Sequence, residues 1–259
     1  VRGARVVAFG RQLLDEIAGF GRPYPIIVLT GGDPFERPDL PDLVRYGAGL
    51  GLHMALSPSV TPKMTRESLA VFRDCGVHAI SLSLDAASAP VHDGFRGVDG
   101  VFDATVQAAG WCRELGYRLQ INSTVTRDTV DELPDLLRLV MSLGASLWSV
   151  FFLVPTGRGS ALQALSAAEV EDVLHWLHDV SDLVATKTTE APHYRRVAIQ
   201  RARRAAAVAD GAALPPVEHG ALYHRLRAAV ADLLDDPDLV RRTPRPPIDV
   251  NSGRGFAFV

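Results

Sequence analysis

Residues 26–56 read IIVLTGGDPFERPDLPDLVRYGAGLGLHMAL. A short β-branched apolar run opens this stretch and ends at the pair Gly31-Gly32. Apolar residues at helical spacing follow over residues 40–50, and a second short apolar run covers residues 53–56. The stretch therefore predicts a strand, a helix and a second strand, which is the repeating unit of a parallel sheet.

The same alternation continues along most of the chain. Apolar runs end near residues 30, 56, 84, 125 and 154. Helical spacing separates them, with Thr65 as a predicted N-cap and Gly116 and Gly144 as helix stops. Because the runs are almost continuously apolar, both faces of the sheet should be covered. The pattern predicts a parallel α/β fold, either a partial or complete (β/α) barrel or an open doubly wound sheet.

The composition narrows the function classes. The 259 residues carry a net charge of −3, which argues against a dedicated nucleic-acid partner. No apolar run reaches the length of a membrane span, and the N-terminal residues do not resemble a signal peptide, so we expect a cytoplasmic protein. The two cysteines, Cys75 and Cys112, lie far apart and form neither a disulfide framework nor a metal-binding pair.

Polar residues follow each predicted strand, where parallel α/β proteins build their sites. The residues after the five strands include a glycine pair, hydroxyl groups, a carboxylate, an arginine and an amide. Each alone is typical of a turn or a surface ion pair. Together they suit a zwitterionic ligand that bears a ribose, and no hydrolase, zinc or Walker motif accompanies them.

The ordered set of motifs resembles the radical S-adenosylmethionine (SAM) superfamily. It comprises Leu-Thr-Gly-Gly-Asp-Pro, Ser-Leu-Ser-Leu-Asp, His-Asp-Gly-Phe-Arg-Gly, Gln-Ile-Asn-Ser-Thr-Val and Pro-Thr-Gly-Arg-Gly. The similarity covers roughly residues 12 to 196. It is greatest to the branch with a cysteine-rich SPASM or twitch extension, which includes peptide maturases and haem-biosynthesis enzymes. The resemblance implies a partial (β/α) barrel that lacks the family's first strand and cluster loop.

The resemblance also implies cofactor-binding roles. The glycine motif would hold the SAM ammonium, Arg96 would pair with the SAM carboxylate, and Asn122 would lie near the ribose. Leu153 and Val154 would pack on the adenine. The full implied set is Gly31, Gly32, Asp33, Pro34, Ser57, Ser59, Ser83, Asp85, Arg96, Asn122, Leu153 and Val154.

Family chemistry requires a [4Fe–4S] cluster, a reductant protein and a Cys-x-x-x-Cys-x-x-Cys loop with three thiolates. The cluster cleaves SAM to a 5′-deoxyadenosyl radical, which acts on a peptide or tetrapyrrole-like substrate. Cys75 and Cys112 cannot replace that loop. We therefore predict no catalytic and no metal-binding residue in this chain, and no radical chemistry from it alone.

The predicted organisation has three parts. Residues 1–194 form the partial barrel core, 195–250 an Arg-, Ala- and Pro-rich helical or flexible segment, and 251–259 the start of a truncated extension. Both ends are interpreted as cut, which favours a fragment over a cluster-free SAM-binding regulator. Two other hypotheses are a barrel enzyme on a phosphorylated substrate, with an anion loop at 157–159, and a scaffold that uses the Arg-rich segment.

Overall fold

The computed structural model describes residues 2–155, 157, 162–189, 191–239, 241 and 256–257. The strands that it contains are β1 (Ile26–Leu29), β2 (His53–Leu56), β3 (Val77–Ser83), β4 (Arg118–Val125), β5 (Leu147–Phe152), β6 (Thr186–Thr188) and the two-residue β7 (Phe256–Ala257). They hydrogen-bond in the order β6-β5-β4-β3-β2-β1-β7, and β1 to β6 run parallel. The predicted parallel α/β class is confirmed.

In the described residues, one or two α-helices lie between consecutive strands from β1 to β6, one precedes β1 and three follow β6. The helices are α1 (Arg2–Ala18), α2 (Leu40–Gly49), α3 (Arg66–Asp74), α4 (Ala89–Arg96), α5 (Val101–Glu114), α6 (Leu133–Ser142), α7 (Ala167–Asp179), α8 (Tyr194–Ala209), α9 (Ala221–Ala229) and α10 (Ala231–Leu234). Thr65 caps α3 as predicted: its hydroxyl accepts from the Ser68 N–H, and the Ser68 hydroxyl accepts from the Thr65 N–H. This reciprocal capping fixes where α3 begins.

The chain divides into two compact units. The first comprises residues 1–83, 98–121 and 253–259. Its β1 and β2 pair in register from Ile26 opposite His53 to Leu29 opposite Leu56. Gly76 joins α3 to β3 at φ +107°, and a Cβ there would lie 2.6 Å from the Ala48 Cβ. Only glycine fits this turn without a shift of the backbone.

The second unit comprises residues 84–97 and 122–252. Its β5 and β6 pair in register from Trp148 opposite Thr186 to Val150 opposite Thr188. The buried rings of Trp148 and Trp176 meet edge to face at 6.1 Å, so α7 covers one face of β5. In the described part of the chain, no helix is long and apolar enough to cross a membrane.

Candidate functional site

The loop after β1 presents its backbone to the surroundings. Gly31 and Gly32 have φ values of +91° and +55°, and no atom lies within 4 Å of a Cβ built at either position. Bare peptide groups in this conformation can approach a ligand closely and bind it with N–H and C=O groups. The loop therefore offers a polar backbone surface at the carboxyl end of β1.

Asp33 and Pro34 fix that loop. The Asp33 Oδ1 accepts from the Phe35 N–H at 3.1 Å, and Oδ2 accepts from the Thr61 hydroxyl at 3.0 Å. Pro34 is buried and begins a single 3₁₀ turn that Asp33 caps. These contacts hold the backbone of the glycine pair in place, and the half-buried Asp33 carboxylate adds negative charge beside it.

Three predicted serines lie at the ends of the next two strands. Ser57 directly follows β2 and is half-buried, and its carbonyl accepts from the Thr30 hydroxyl at 3.2 Å, which ties the two loops together. Ser59 is exposed two residues further on. Ser83 is the last residue of β3 and is half-buried. Thus Thr30 and Ser57 adjoin the glycine loop directly.

Asp85 forms the centre of a buried cluster in the second unit. Its carboxylate is 0% exposed, and Oδ2 lies 2.6 Å from both Nε and Nη2 of Arg96. Oδ1 accepts from the Thr124 N–H at 2.9 Å. The Asp85 N–H donates to Nδ1 of His92 at 3.1 Å. A guanidinium, a peptide group and an imidazole therefore surround this one carboxylate.

His92 is neutral in this environment. Burial lowers its pKa, although the Asp85 charge acts in the opposite direction. Because Nδ1 accepts the Asp85 N–H, we assign the ring proton to Nε2. The carboxylate of Asp85 therefore has the guanidinium of Arg96 as its cationic partner.

Glu132 anchors the other end of α4, and sequence reasoning missed it. Its Oε2 accepts from the N–H groups of Ala87 and Ser88 at 2.8 and 3.0 Å, and its Oε1 accepts from the Ser88 hydroxyl at 2.6 Å. Forty-four residues separate Ser88 from Glu132, so no local pattern links them. Ser88 ahead of Ala89-Pro90 was the available signal of a helix start.

The structure brings Asn122 next to the Asp85 cluster. The Leu84 N–H donates to the Asn122 carbonyl at 2.8 Å, and the Ser123 hydroxyl donates to the Leu84 carbonyl at 2.6 Å. Leu153 is half-buried after β5, with its N–H 3.4 Å from the Val125 carbonyl, and Val154 is exposed. Asp85, Arg96 and Asn122 therefore form one group, while Leu153 and Val154 follow the neighbouring strand. Arg158 and Gly159 of the alternative anion loop lie outside the described residues.

The cysteines do not fit an iron–sulfur cluster. Cys75 and Cys112 are buried free thiols, and burial raises the pKa of both, that of Cys112 to about 12. A cluster needs several thiolates on one loop or surface. Within the described residues, no group of three or more Cys, His, Asp or Glu side chains could hold a metal ion.

Comparison with known proteins defines the class. The family model for the radical SAM superfamily matches residues 10–140, half of the 259 residues, and the chain belongs to this superfamily. It is 42% identical over 197 residues to an AdoMet-dependent heme synthase of Oleidesulfovibrio alaskensis, covering 74% of this chain and 50% of the relative. A heme synthase of the same name from Methanosarcina barkeri is 38% identical, covering 75% and 55%.

More distant relatives include a PqqA peptide cyclase of Rhodopseudomonas palustris, 31% identical over 52% of this chain and 35% of the relative. The crystal structure of Streptococcus suis SuiB bound to S-adenosylmethionine aligns with a TM-score of 0.56 at 15% identity, covering 66% of this chain and 39% of that one. This similarity confirms the radical SAM type of fold. The chain spans about half the length of the curated heme synthases that it matches.

Proposed function

We propose that this chain is the SAM-binding part of a radical SAM protein. The observation that carries the proposal is the open Gly31-Gly32 loop, whose peptide groups suit the SAM ammonium and whose neighbour Asp33 supplies a negative charge. Ser57, Ser59 and Ser83 supply hydroxyl groups in the same unit. The family resemblance further assigns Arg96 to the carboxylate, Asn122 to the ribose, and Leu153 and Val154 to the adenine.

The activity of a complete protein of this kind would be reductive cleavage of SAM at a [4Fe–4S] cluster, with an electron from a reductant protein. Three thiolates are needed, and the two buried cysteines of this chain do not provide them. We therefore assign this chain no step of radical chemistry. A cluster-free protein that binds SAM for regulation is the second candidate.

For the substrate of the complete protein, we favour a tetrapyrrole over a peptide. Heme synthases match three quarters of this chain at 38–42% identity, whereas the PqqA peptide cyclase matches about half of it at 31%. We place the chain in the branch with SPASM or twitch extensions on the same ground. A cytoplasmic location is our proposal for the compartment, in keeping with two buried free thiols.

Isothermal titration with SAM tests the proposal. The chain should bind SAM in preference to a sugar phosphate, and Gly32→Val should weaken SAM binding about tenfold or more, because a β-branched residue is strained at φ +55°. Gly110→Ala is the matched control: this helical glycine has no atom within 4 Å of an added Cβ, so its affinity should be unchanged. Binding of sugar phosphate without SAM would instead favour an ordinary barrel enzyme.

A further inference from the structure

We propose that Asp85 and Glu132 are positioning residues, which hold the Arg96 guanidinium as a preorganised receptor for the α-carboxylate of SAM. The inference rests on the proposed function. It assigns the two acidic residues a role in SAM binding that requires no contact between them and SAM. It concerns the segment from Leu84 to Gly97 together with the strand end and helix start beside it, all within the second unit.

The oxygen atoms of Asp85 are already engaged inside the protein. Oδ1 accepts from the Thr124 N–H, and Oδ2 contacts two nitrogen atoms of Arg96 and lies 3.4 Å from Nδ1 of His92. The carboxylate is 0% exposed, whereas the Arg96 side chain is 35% exposed. Asp85 therefore acts through Arg96, and Arg96 is the member of the pair that can reach a ligand.

The geometry of the pair leaves one side of the guanidinium available. Nε and Nη2 both contact the single oxygen Oδ2, so the Nε edge of the planar fork is fixed. Within the described residues, Nη1 of Arg96 has no hydrogen-bond partner. A guanidinium held along one edge can still offer donors from the other to a carboxylate.

Arg96 is the cation that this cluster can present to a ligand, because its side chain is 35% exposed while the Asp85 carboxylate is buried. Nδ1 of His92 accepts the Asp85 N–H, so this ring does not compete with Arg96 for the Asp85 charge. Arg96 occupies the last turn of α4, where the helix dipole favours a cation. The Phe95 ring also lies 5.5 Å from the guanidinium carbon and restricts the side chain further.

Glu132 fixes the start of the same helix. Its three hydrogen bonds to Ala87 and Ser88 bring a carboxylate to the N-terminus of α4, where the helix dipole favours negative charge. The helix is thus anchored by Glu132 at one end and by the Asp85–Arg96 pair at the other. An arginine on a helix that is anchored at both ends loses less conformational entropy when it binds an anion.

The test compares SAM with decarboxylated SAM, which lacks the α-carboxylate, by isothermal titration. Arg96→Met should weaken binding of SAM about tenfold or more and leave binding of decarboxylated SAM unchanged. Asp85→Asn, which keeps the shape but not the charge that orients Arg96, should show the same selective loss to a smaller extent. The double variant should be no worse than Arg96→Met, because both changes act on one interaction.

Glu132→Gln is the second variant that tests positioning, and it should weaken binding of SAM more than binding of decarboxylated SAM, as Asp85→Asn does. Glu36→Gln is its matched control. Glu36 is an exposed partner of Lys63 in the first unit, so its replacement should leave both affinities unchanged. A readout that needs no ligand is the ¹⁵N–¹H signal of the Arg96 Nε–H. We expect this proton to exchange slowly in the unmodified chain and rapidly in Asp85→Asn.

Each outcome has one meaning. If Asp85→Asn weakens SAM and decarboxylated SAM equally, or if its effect adds to that of Arg96→Met, the positioning role is wrong. If the unmodified chain binds both ligands equally well, the proposal that it binds SAM is supported, and the proposal that Arg96 binds the α-carboxylate is wrong. If it binds neither ligand, the proposed function of SAM binding is wrong.

Discussion

Cys75 and Cys112 are structural residues of the first unit rather than ligands. Cys75 caps the end of α3 and Cys112 lies in α5, where its side chain is fully buried. Burial raises the pKa of both thiols, so the thiolate form that binds iron is disfavoured at neutral pH. Buried cysteine of this kind behaves as a small apolar residue.

We therefore expect no cluster after anaerobic incubation of this chain with ferrous iron and sulfide. Bound iron after desalting should be negligible, and no iron–sulfur absorbance should develop in the visible spectrum. The double variant Cys75→Ala/Cys112→Ala is the control and should give the same spectrum. Stable iron binding by the unmodified chain that disappears in the double variant would contradict the assignment of these cysteines to the core.

The predictability of individual residues depended on their place along the chain. Gly31 and Gly32 could be predicted as loop residues because the pair directly follows an apolar run. The structure gives both residues positive φ values. Arg96 could be predicted from its motif. Its pairing with Asp85 could not, because that contact depends on the path of α4. Glu132 was missed because its partners lie over forty residues away.

At the scale of elements, α9 is attached to α7 by a buried acidic side chain. The Asp172 carboxylate accepts from the Gly220 N–H at 2.7 Å and from the Tyr223 N–H at 3.3 Å. These two N–H groups belong to the first turn of α9 and its N-cap, which have no partner within the helix. Asp172 thus caps a helix from a different part of the chain.

Asp172→Ala should lower the free energy of unfolding by about 1–2 kcal/mol, the usual cost of losing a helix cap, with an addition for the buried N–H groups. Urea denaturation followed by circular dichroism measures this change. Asp182→Ala is the matched control, since Asp182 makes a partly exposed ion pair with Arg241 and should shift the midpoint little. Equal effects of both substitutions would rule out a capping role.

Element positions followed from the sequence where apolar patterning was strong. Strand ends expected near residues 30, 56, 84, 125 and 154 lie at Leu29, Leu56, Ser83, Val125 and Phe152. The short elements β6 and α4 were not predicted. Strand β6 is Thr-Lys-Thr and has no apolar period, and it forms by pairing with β5. Helix α4 has only eight residues and contains Pro90 and Gly94.

At the scale of the whole molecule, three histidines on or near α7 add to His92 in making the stability of the second unit depend on pH. Burial lowers the pKa of His175, His178 and His219, with nearby Arg201 lowering each further. The rings of His175 and His219 lie 4.7 Å apart, and His219 stacks on Tyr223 at 3.8 Å. Glu171 and Asp179 face these groups and oppose the effect, but burial is the largest cause for all three.

The sign of the dependence follows from that direction. Above the ordinary histidine pKa of about 6.5, the three rings are neutral in both the folded and the unfolded chain. Below it the unfolded chain takes up protons that the folded chain does not, so stability falls until the lowered folded pKa values are passed. Carboxylates with lowered pKa values, such as Glu169 with a pKa of about 2, affect the stability only at more acidic pH.

We therefore expect the thermal unfolding midpoint to decrease as the pH is lowered from about 7.5 to about 5.5. This decrease should precede the acid unfolding that follows from protonation of the paired carboxylates. His178→Gln should make this fall smaller, because it removes one ring that must stay neutral when buried. His53→Gln should not change it, since the His53 side chain is already solvent-exposed in the folded chain. A fall that is the same in all three proteins would show that α7 is not the source of the pH dependence.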